Sequence, residues 1–468
     1  MMRRIARAAV VAAATAAIAS GCALAPPPPV EDTRKAALPT LVVPPRYVAG
    51  GSDARAVERS WVAAFHDPAL TALVREAIAY NTDLRVAQAR VDQAAAYLKV
   101  AGAALYPQVN LLGRGGGKMS DSSGLSGVGL FANWELDLWG RVRAGQAFAQ
   151  AQYDATRLDA EYARQSIAAL VAKGWFLAVE ARLQRDQARA MREASTKLAE
   201  LAQDRLRVGR GDEFDTAVAQ ASVASLRDTE RNLDAAYQQA LRGLETLVGR
   251  YPGAALEVPK SLTRWPGDVP VGLPSDLLER RPDVVAAERR VAGAFYRTEE
   301  AKAARLPRIT LTASVTTISS ELFLLKNQDN PIWSLGAGLL QPIFLGGQLQ
   351  GQVEVRTAEQ QQAVADYGRT GARAFAEVEE ALSNGYSLAD REALLAVAVR
   401  ENGRAFELAG IRYRVGAGDL RAVQQQQLAL YAAQVTLLRV QAERLVQRVN
   451  LHLALGGSFD EAIVARAN

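Results

Sequence analysis

This 468-residue chain is written twice, and that limits what it can become. Asn81-Thr82-Asp83-Leu84 returns as Arg281-Pro282-Asp283-Val284, an offset of 200. Ala103-Ala104-Leu105-Tyr106-Pro107 falls on Ala303-Ala304-Arg305-Leu306-Pro307 at the same offset. Farther on the offset is 207. It carries Arg205-Leu206-Arg207-Val208-Gly209-Arg210-Gly211-Asp212 onto Arg412-Tyr413-Arg414-Val415-Gly416-Ala417-Gly418-Asp419, and Gly249 onto Gly456. Copies of about 200 residues are too long for solenoid units, so the pattern implies a duplicated half-molecule. The first repeat is taken as 61–253 and the second as 254–456, with a tail at 457–468.

Each copy holds segments of period two, the mark of a half-buried strand. Ile309, Leu311, Ala313 and Val315 alternate with Thr310, Thr312, Ser314 and Thr316. Trp333, Leu335, Ala337 and Leu339 alternate with Ser334, Gly336 and Gly338. In the first copy Val128, Leu130, Ala132, Trp134, Leu136 and Leu138 alternate with Gly129, Asn133, Glu135 and Asp137, with Phe131 as the exception. The fourth strand, about 108–115, has the least regular pattern. Two hairpins are expected, over 108–138 and 308–344, with Gly-, Ser-, Asn- and Asp-containing tips. Such strands suit either a soluble sandwich or a lipid-facing barrel. If they enter lipid, every backbone N–H and C=O must be paired, and four strands cannot close on themselves. Several chains must then share one barrel.

Helices dominate the rest. Residues 144–208 contain no proline and seventeen alanines, a continuous helix about 97 Å long at 1.5 Å per residue. Its counterpart is 351–415. Leu170, Leu177, Met191 and Leu198 recur every seven residues, as do Ala194, Leu201 and Val208, which predicts coiled-coil packing. Each long helix stops at a Gly-x-Gly-Asp turn, Gly209–Asp212 and Gly416–Asp419, and return helices follow at 213–248 and 420–455. His66-Asp67-Pro68, and Ser275 with Pro282, are helix-start signals.

The N-terminus is an address. Met1–Arg7 is basic, Ala8–Ile18 is apolar but too short to span a bilayer, and Ala19-Ser20-Gly21-Cys22 follows. This resembles a bacterial lipobox, which makes 1–21 a signal peptide, Cys22 the acylated residue and 22–60 a lipid-anchored linker with a stiff Pro26–Pro29 spacer. Cys22 is the single cysteine, so no disulfide framework exists. Loss of Arg3, Arg4 and Arg7 leaves 52 basic against 50 acidic residues, no footprint for nucleic acid. With His66 and His452 the only histidines, no catalytic triad or histidine metal site is expected, and no cofactor. Gly113–Lys118 lacks the spacing of a phosphate loop. No paired carboxylates suggest a glycoside hydrolase.

Several segments together resemble one family: Trp61-x-x-x-Phe65-x-Asp67-Pro68-x-Leu70, Asn81-x-Asp83-Leu84-Arg85, Leu105-Tyr106-Pro107-Gln108, Trp134-Glu135-Leu136-Asp137-Leu138-Trp139-Gly140-Arg141, Gly272-Leu273-Pro274-Ser275-Asp276-Leu277-Leu278, and Pro342-Ile343-Phe344-x-Gly346-Gly347. The chain is similar to TolC-type outer-membrane factors of tripartite pumps across its mature length. Leu345 departs from the aspartate common in that family. The resemblance implies an α+β membrane protein: a homotrimer sharing a twelve-stranded β-barrel, four strands per chain, continued by a long α-helical barrel. It also implies a passive efflux conduit in the outer membrane extending into the periplasm. A periplasmic adaptor and an inner-membrane transporter of the RND type would be its partners, with membrane lipid around it.

By the same resemblance, Arg205–Asp212 and Arg412–Asp419 carry the gate and the adaptor contact. Asp419 and Asp212 would form acidic rings, Arg414 and Arg207 would pair with acids on neighbouring helices, and Gly416 and Gly209 would make the turns. Asp212 and Asp419 are equally suited to capping the returning helices. Trp134, Trp139 and Trp333 are either interfacial belt residues or packed aromatics. Two rival functions are a type I protein secretion conduit and a structural periplasmic coiled-coil lipoprotein.

Overall fold

A computed structural model describes residues 24–50, 60–114, 126–319 and 332–459. The expected signal segment with Cys22, the hairpin tips, part of the expected linker and the end of the tail lie outside the described residues. In chain order the elements are α1 (Val30–Ala37), α2 (Pro68–Tyr80), α3 (Thr82–Ala103), β1 (Gln108–Arg114), β2 (Ser126–Leu136), α4 (Arg141–Arg207) and α5 (Glu213–Leu247). Then follow α6 (Leu277–Arg280), α7 (Pro282–Ala303), β3 (Arg308–Ser319), β4 (Ile332–Leu340), α8 (Gln348–Arg414) and α9 (Leu420–Ala454). The bounds of α3 and α7 differ by 200 at both ends, and those of α4 and α8, and of α5 and α9, by 207.

Two compact units form, and each draws on both halves of the sequence. One combines the residues up to Leu41 with Gln88–Asp159 and Asp283–Gly371. It contains a single antiparallel sheet in the order β1-β2-β3-β4, so the two expected hairpins join through β2 and β3. The register keeps the pleat aligned. Val109, Ala132, Ala313 and Leu335 form one cross-strand row, and Leu111, Leu130, Val315 and Trp333 the next. Among the described residues this apolar face is largely uncovered: Leu335 is 87% exposed and Trp333 74%.

On the opposite face Asn110, Phe131, Ser314 and Ser334 share a row. Phe131 therefore sits among polar residues, which explains its break in the alternation. A Cβ at Gly129, two residues back on the same face, would strike the Thr316 methyl and crowd the Phe131 ring. Trp134 and Trp139 are not free belt residues. Their indole N–H groups donate to Leu105 O (3.0 Å) and Pro307 O (2.7 Å).

Both 67-residue helices start three residues earlier than expected. Gly140 (φ +74°) and Gly347 (φ +86°) turn the chain into them. At the first junction Asp137 accepts from Val142 N (3.0 Å) and Arg143 N (2.9 Å), so the orphan amides of the first turn are satisfied. β4 ends at Leu340, short of the expected 344. Gln341 turns its amide onto Arg305 O, as Trp134 does onto Leu105 O at the corresponding position.

The other unit holds the main core. Trp61 and Phe65, Leu70, Leu73 and Val74 of α2, and Leu241 and Leu244 of α5 pack on α4 between Ile167 and Val179. Asp67 ties this together. Its Oδ1 caps α2 through Ala69 N and Leu70 N, each at 3.0 Å, and its Oδ2 accepts from Trp175 Nε1 (2.9 Å). The seven-residue seam holds only at its lower end. Met191 is buried, whereas Leu170 and Leu177 are exposed. Here the buried face of α4 is formed by Ala168, Val171, Trp175, Phe176 and Val179, and the seam's leucines fall on the opposite side of the helix.

The two returning helices end on equivalent joints. Asn81 Nδ2 donates to Leu247 O at the end of α5 (2.8 Å), and Arg281 Nη1 donates to Ala454 O at the end of α9 (3.3 Å). Gly249 (φ +79°) and Gly456 (φ +70°) close these helices against Tyr80 and Arg280, where a Cβ would sit 3.0 and 3.2 Å from backbone. Two residues before the end of each returning helix, the two halves differ. Buried Glu245 accepts from Ala254, Ala255 and Leu256 N at 2.7–2.9 Å. Its counterpart His452 stacks on Trp61 (centroids 5.7 Å) with neither ring nitrogen hydrogen-bonded.

Burial, with the nearby Arg448 cation, pushes His452 down to about 3. Glu180 on α4, faced by Gln184, Arg439 and Glu443, is pushed up to about 7, chiefly by burial. The two act in opposite senses on stability. His452 stays neutral in the fold, so its contribution is present above about 6.5 and lost as pH falls toward 3. Glu180 favours the protonated fold, so its contribution is present below about 4.5 and lost as pH rises through 7. Between pH 4.5 and 6.5 they offset. His452→Leu is expected to make the apparent melting temperature of the detergent-solubilised protein rise as pH falls through this window. Glu180→Gln is expected to make it fall. Parallel profiles for both variants and the parent would contradict the assignment.

Candidate functional site: the helix turns

The turn after each long helix is built from backbone rules. In the first, Gly209 N donates to Leu206 O (3.0 Å) and Arg210 N to Arg205 O (2.8 Å), with Gly209 at φ +69°. In the second, Gly416 N donates to Tyr413 O (3.1 Å) and Ala417 N to Arg412 O (2.9 Å), with Gly416 at φ +80°. These are Schellman stops, and the left-handed residue at each favours glycine. The next helix then begins on an aspartate cap. Asp212 Oδ1 accepts from Asp215 N and Asp419 Oδ1 from Ala422 N, both at 2.7 Å. Each carboxylate meets its cap with one oxygen.

The two turns are joined by Arg205. Its Nη1 donates to Tyr413 O (2.9 Å) and its guanidinium lies 4.5 Å from the Tyr413 ring centroid. Tyr413 is buried with Ala202, Ala219, Leu420 and Val423. Burial raises its phenol above the usual range. Beside it, burial raises the Asp215 carboxyl, and the Asp212 and Asp419 charges add to that effect against Arg205 and Arg421. Arg421 stacks on Phe214 (4.7 Å). Three carboxylates and two arginines thus share one electrostatic neighbourhood at the turns.

Within the chain Arg207 pairs with Asp204 on its own helix (2.9 Å), and both side chains are largely exposed. Such i,i+3 surface pairs stabilise little. Arg414 makes no ion pair among the described residues. The cross-helix bond comes from Arg205, two positions earlier and on the inner side of the helix. A signal for it existed: Leu206 in the first copy is Tyr413 in the second, the one aromatic change in an otherwise repeated motif.

Among the described residues no three His, Cys, Asp or Glu side chains are grouped to hold a metal ion. None of the described helices is long and apolar enough to cross a membrane.

The family model described as outer membrane efflux protein matches residues 73–250 and 273–457. The pyoverdine export outer membrane protein OpmQ of Pseudomonas aeruginosa is 33% identical over 432 residues, covering 88% of this chain and 90% of its own. The toluene efflux pump outer membrane protein TtgC of Pseudomonas putida is 31% identical, covering 88% and 87%. The solved structure of the outer-membrane channel OprN superposes with a TM-score of 0.82 at 26% identity, covering 89% of this chain and 97% of that one. Two matched segments, one in each half, and an exposed apolar sheet agree on one conclusion: the chain belongs to the outer membrane efflux protein family.

Proposed function

We propose that the protein is one subunit of a passive outer-membrane export channel for small molecules. A single observation carries this reading: the four-stranded sheet exposes its apolar face and, among the described residues, leaves the outer edges of β1 and β4 unpaired. In water that arrangement invites aggregation, and in hydrocarbon it is forbidden unless the edges find strands of another copy. Three copies give twelve strands, enough to enclose an aqueous lumen. The duplicated halves then place two long helices per subunit below the barrel, and acylation at Cys22 adds a lipid tether. Energy comes from an inner-membrane transporter, linked by a periplasmic adaptor at the helix turns. The names of the relatives, which export pyoverdine and toluene, favour small cargo over a secreted protein.

The gate lies at the same turns. Tyr413 and Arg205 hold one subunit's turns together, and Asp419 repeats around the axis to make a cation-binding ring, with Asp212 outside it. The cap and the ring are compatible, because capping uses one oxygen of the carboxylate.

Purified protein in planar bilayers is expected to conduct ions with low open probability and a preference for cations; no conductance at all would end the conduit reading in favour of a structural lipoprotein. Asp419→Asn keeps a capping side chain but removes the charge. It is expected to raise conductance and weaken cation selectivity as much as Asp419→Ala. If only the alanine variant changes, the aspartate is a cap and nothing more. Arg205→Ala is expected to raise open probability severalfold, and Arg207→Ala to leave it unchanged.

A further inference from the structure

Between α4 and α5 lies a groove of about 520 Å³, a volume that suits a small molecule. Arg185, Arg189 and Arg192 line it from α4, and Arg227 and Arg231 from α5. Against these five guanidiniums the groove sets two carboxylates, Glu230 and Asp234. Both acids are already engaged by α4. Glu230 accepts from Arg192 Nε (2.6 Å) and lies 3.3 Å from Arg189 Nε, and Asp234 lies 3.6 Å from Arg185. Arg185 also meets Asp186 at 2.7 Å and stacks on Tyr237, 4.7 Å from the ring centroid. Arg227 and Arg231 are exposed and have neither ion pair nor hydrogen bond among the described residues.

This concentration of charge works against the helices that carry it. Arg185 and Arg189, and likewise Arg227 and Arg231, stand four residues apart on one helix, where like charges repel. The duplication shows that packing does not ask for them. At the offset of 207 the five arginines become Glu392, Ala396, Val399, Gln434 and Leu438. The acids Glu230 and Asp234 become Leu437 and Gln441. α8 and α9 match α4 and α5 in length without any of these arginines. Val399, the counterpart of Arg192, packs instead on the cluster of Met191, Leu226 and Leu430. The first copy therefore keeps a basic groove that its own fold does not need.

We propose that the groove binds a small soluble polyanion, a molecule carrying two or more phosphate or carboxylate groups. A planar guanidinium gives two parallel N–H bonds to either group, and Arg227 and Arg231 have that capacity unspent. They are the principal contacts, and the exposed Arg189 meets the ligand from α4. Arg185 and Arg192, held by Asp234 and Glu230, supply the fixed positive wall. Two turns of helix with their side chains exceed the groove's volume, so the fit is to a small anion and not to an acidic helix. The site goes beyond the channel reading and stands on the side chains of one helix pair.

The test uses the whole detergent-solubilised protein in isothermal titration calorimetry at fixed ionic strength, with tripolyphosphate and citrate as probes. Saturable binding of at least one probe, one per chain, is expected. Arg227→Gln combined with Arg231→Gln is expected to weaken it by about tenfold or more. The same double variant is expected to keep or raise the melting temperature without ligand, because a repulsion is removed. Arg369→Gln combined with Arg400→Gln takes the same charge from exposed positions on α8 and is expected to leave the affinity unchanged. No saturable binding of either probe to the parent would overturn the site. Equal losses in the two double variants would also overturn it, as a response to net charge alone. So would protection of Arg227 and Arg231 from phenylglyoxal in the ligand-free protein, which would mean that another copy of the chain covers the groove. None of these outcomes alters the conductance expected of the channel.

Discussion

An unpaired strand edge is the interaction this chain is organised around. The sheet's apolar face and its two outer edges are unfinished in a way no rearrangement within one chain repairs. Turning the apolar face inward would need a second layer, and the strands' other face, with Asn110, Asn133, Thr312, Ser314 and Ser334 around Phe131, is mostly polar. Closing four strands into a ring would demand curvature that side chains cannot fill. In the proposed assembly the backbone hydrogen bonds owed at each edge come from a second copy. Long helices, turns and core are stable answers to ordinary packing problems, and the sheet is the part of the fold for which the proposal calls on association.

Duplication solves that problem economically. A half-molecule whose second strand already fits the first strand of another half can be fused to a copy without changing the seam. The β2–β3 pairing then becomes internal, and in the proposed assembly the outer edges of β1 and β4 are left for another copy. The equivalent joints at Asn81 and Arg281, where each half receives the carbonyl end of its returning helix, follow the same logic. One divergence between the halves falls at a buried polar position. Glu245 became a backbone cap for the segment linking the halves, whereas its counterpart His452 became a flat neutral surface stacked on Trp61. A carboxylate at 452 would have no amides to accept from, and the stacked imidazole avoids burying a charge.

Much of this was legible in the residues, because the features with the strongest periodicity are also local. The strands over 308–319 and 332–340, the unbroken helices and the turns at Gly209 and Gly416 follow from period, proline absence and glycine placement. Helix starts were misjudged by three residues, since the cap at Asp137 acts across a four-residue turn that composition does not mark. The heptad at Leu170 and Leu177 misled for a different reason. A seven-residue spacing identifies a stripe without saying which side of the helix the rest of the chain covers, and in this segment Trp175, Phe176 and Val179 won the core. Phe131 could not be placed from its strand alone, because the space it fills is made by the glycine two residues earlier and by Thr316 on the next strand.

At the turns, the arginine that ties the two loops together within one chain is Arg205. Arg205 and Arg207 differ by two positions, which on a helix is a rotation of about 200°, so one faces the neighbouring helix and the other faces water. The repeated motif contains both, and a motif alone does not say which side is inward. The informative residue was Tyr413. Its aromatic ring needs cover and its backbone carbonyl, near the end of a helix, needs a donor. Arg205 supplies both with one planar group, stacking and donating at once. A lysine at 205 would keep the charge and lose the stack, so the tie between the turns depends on the shape of the guanidinium as well as its sign.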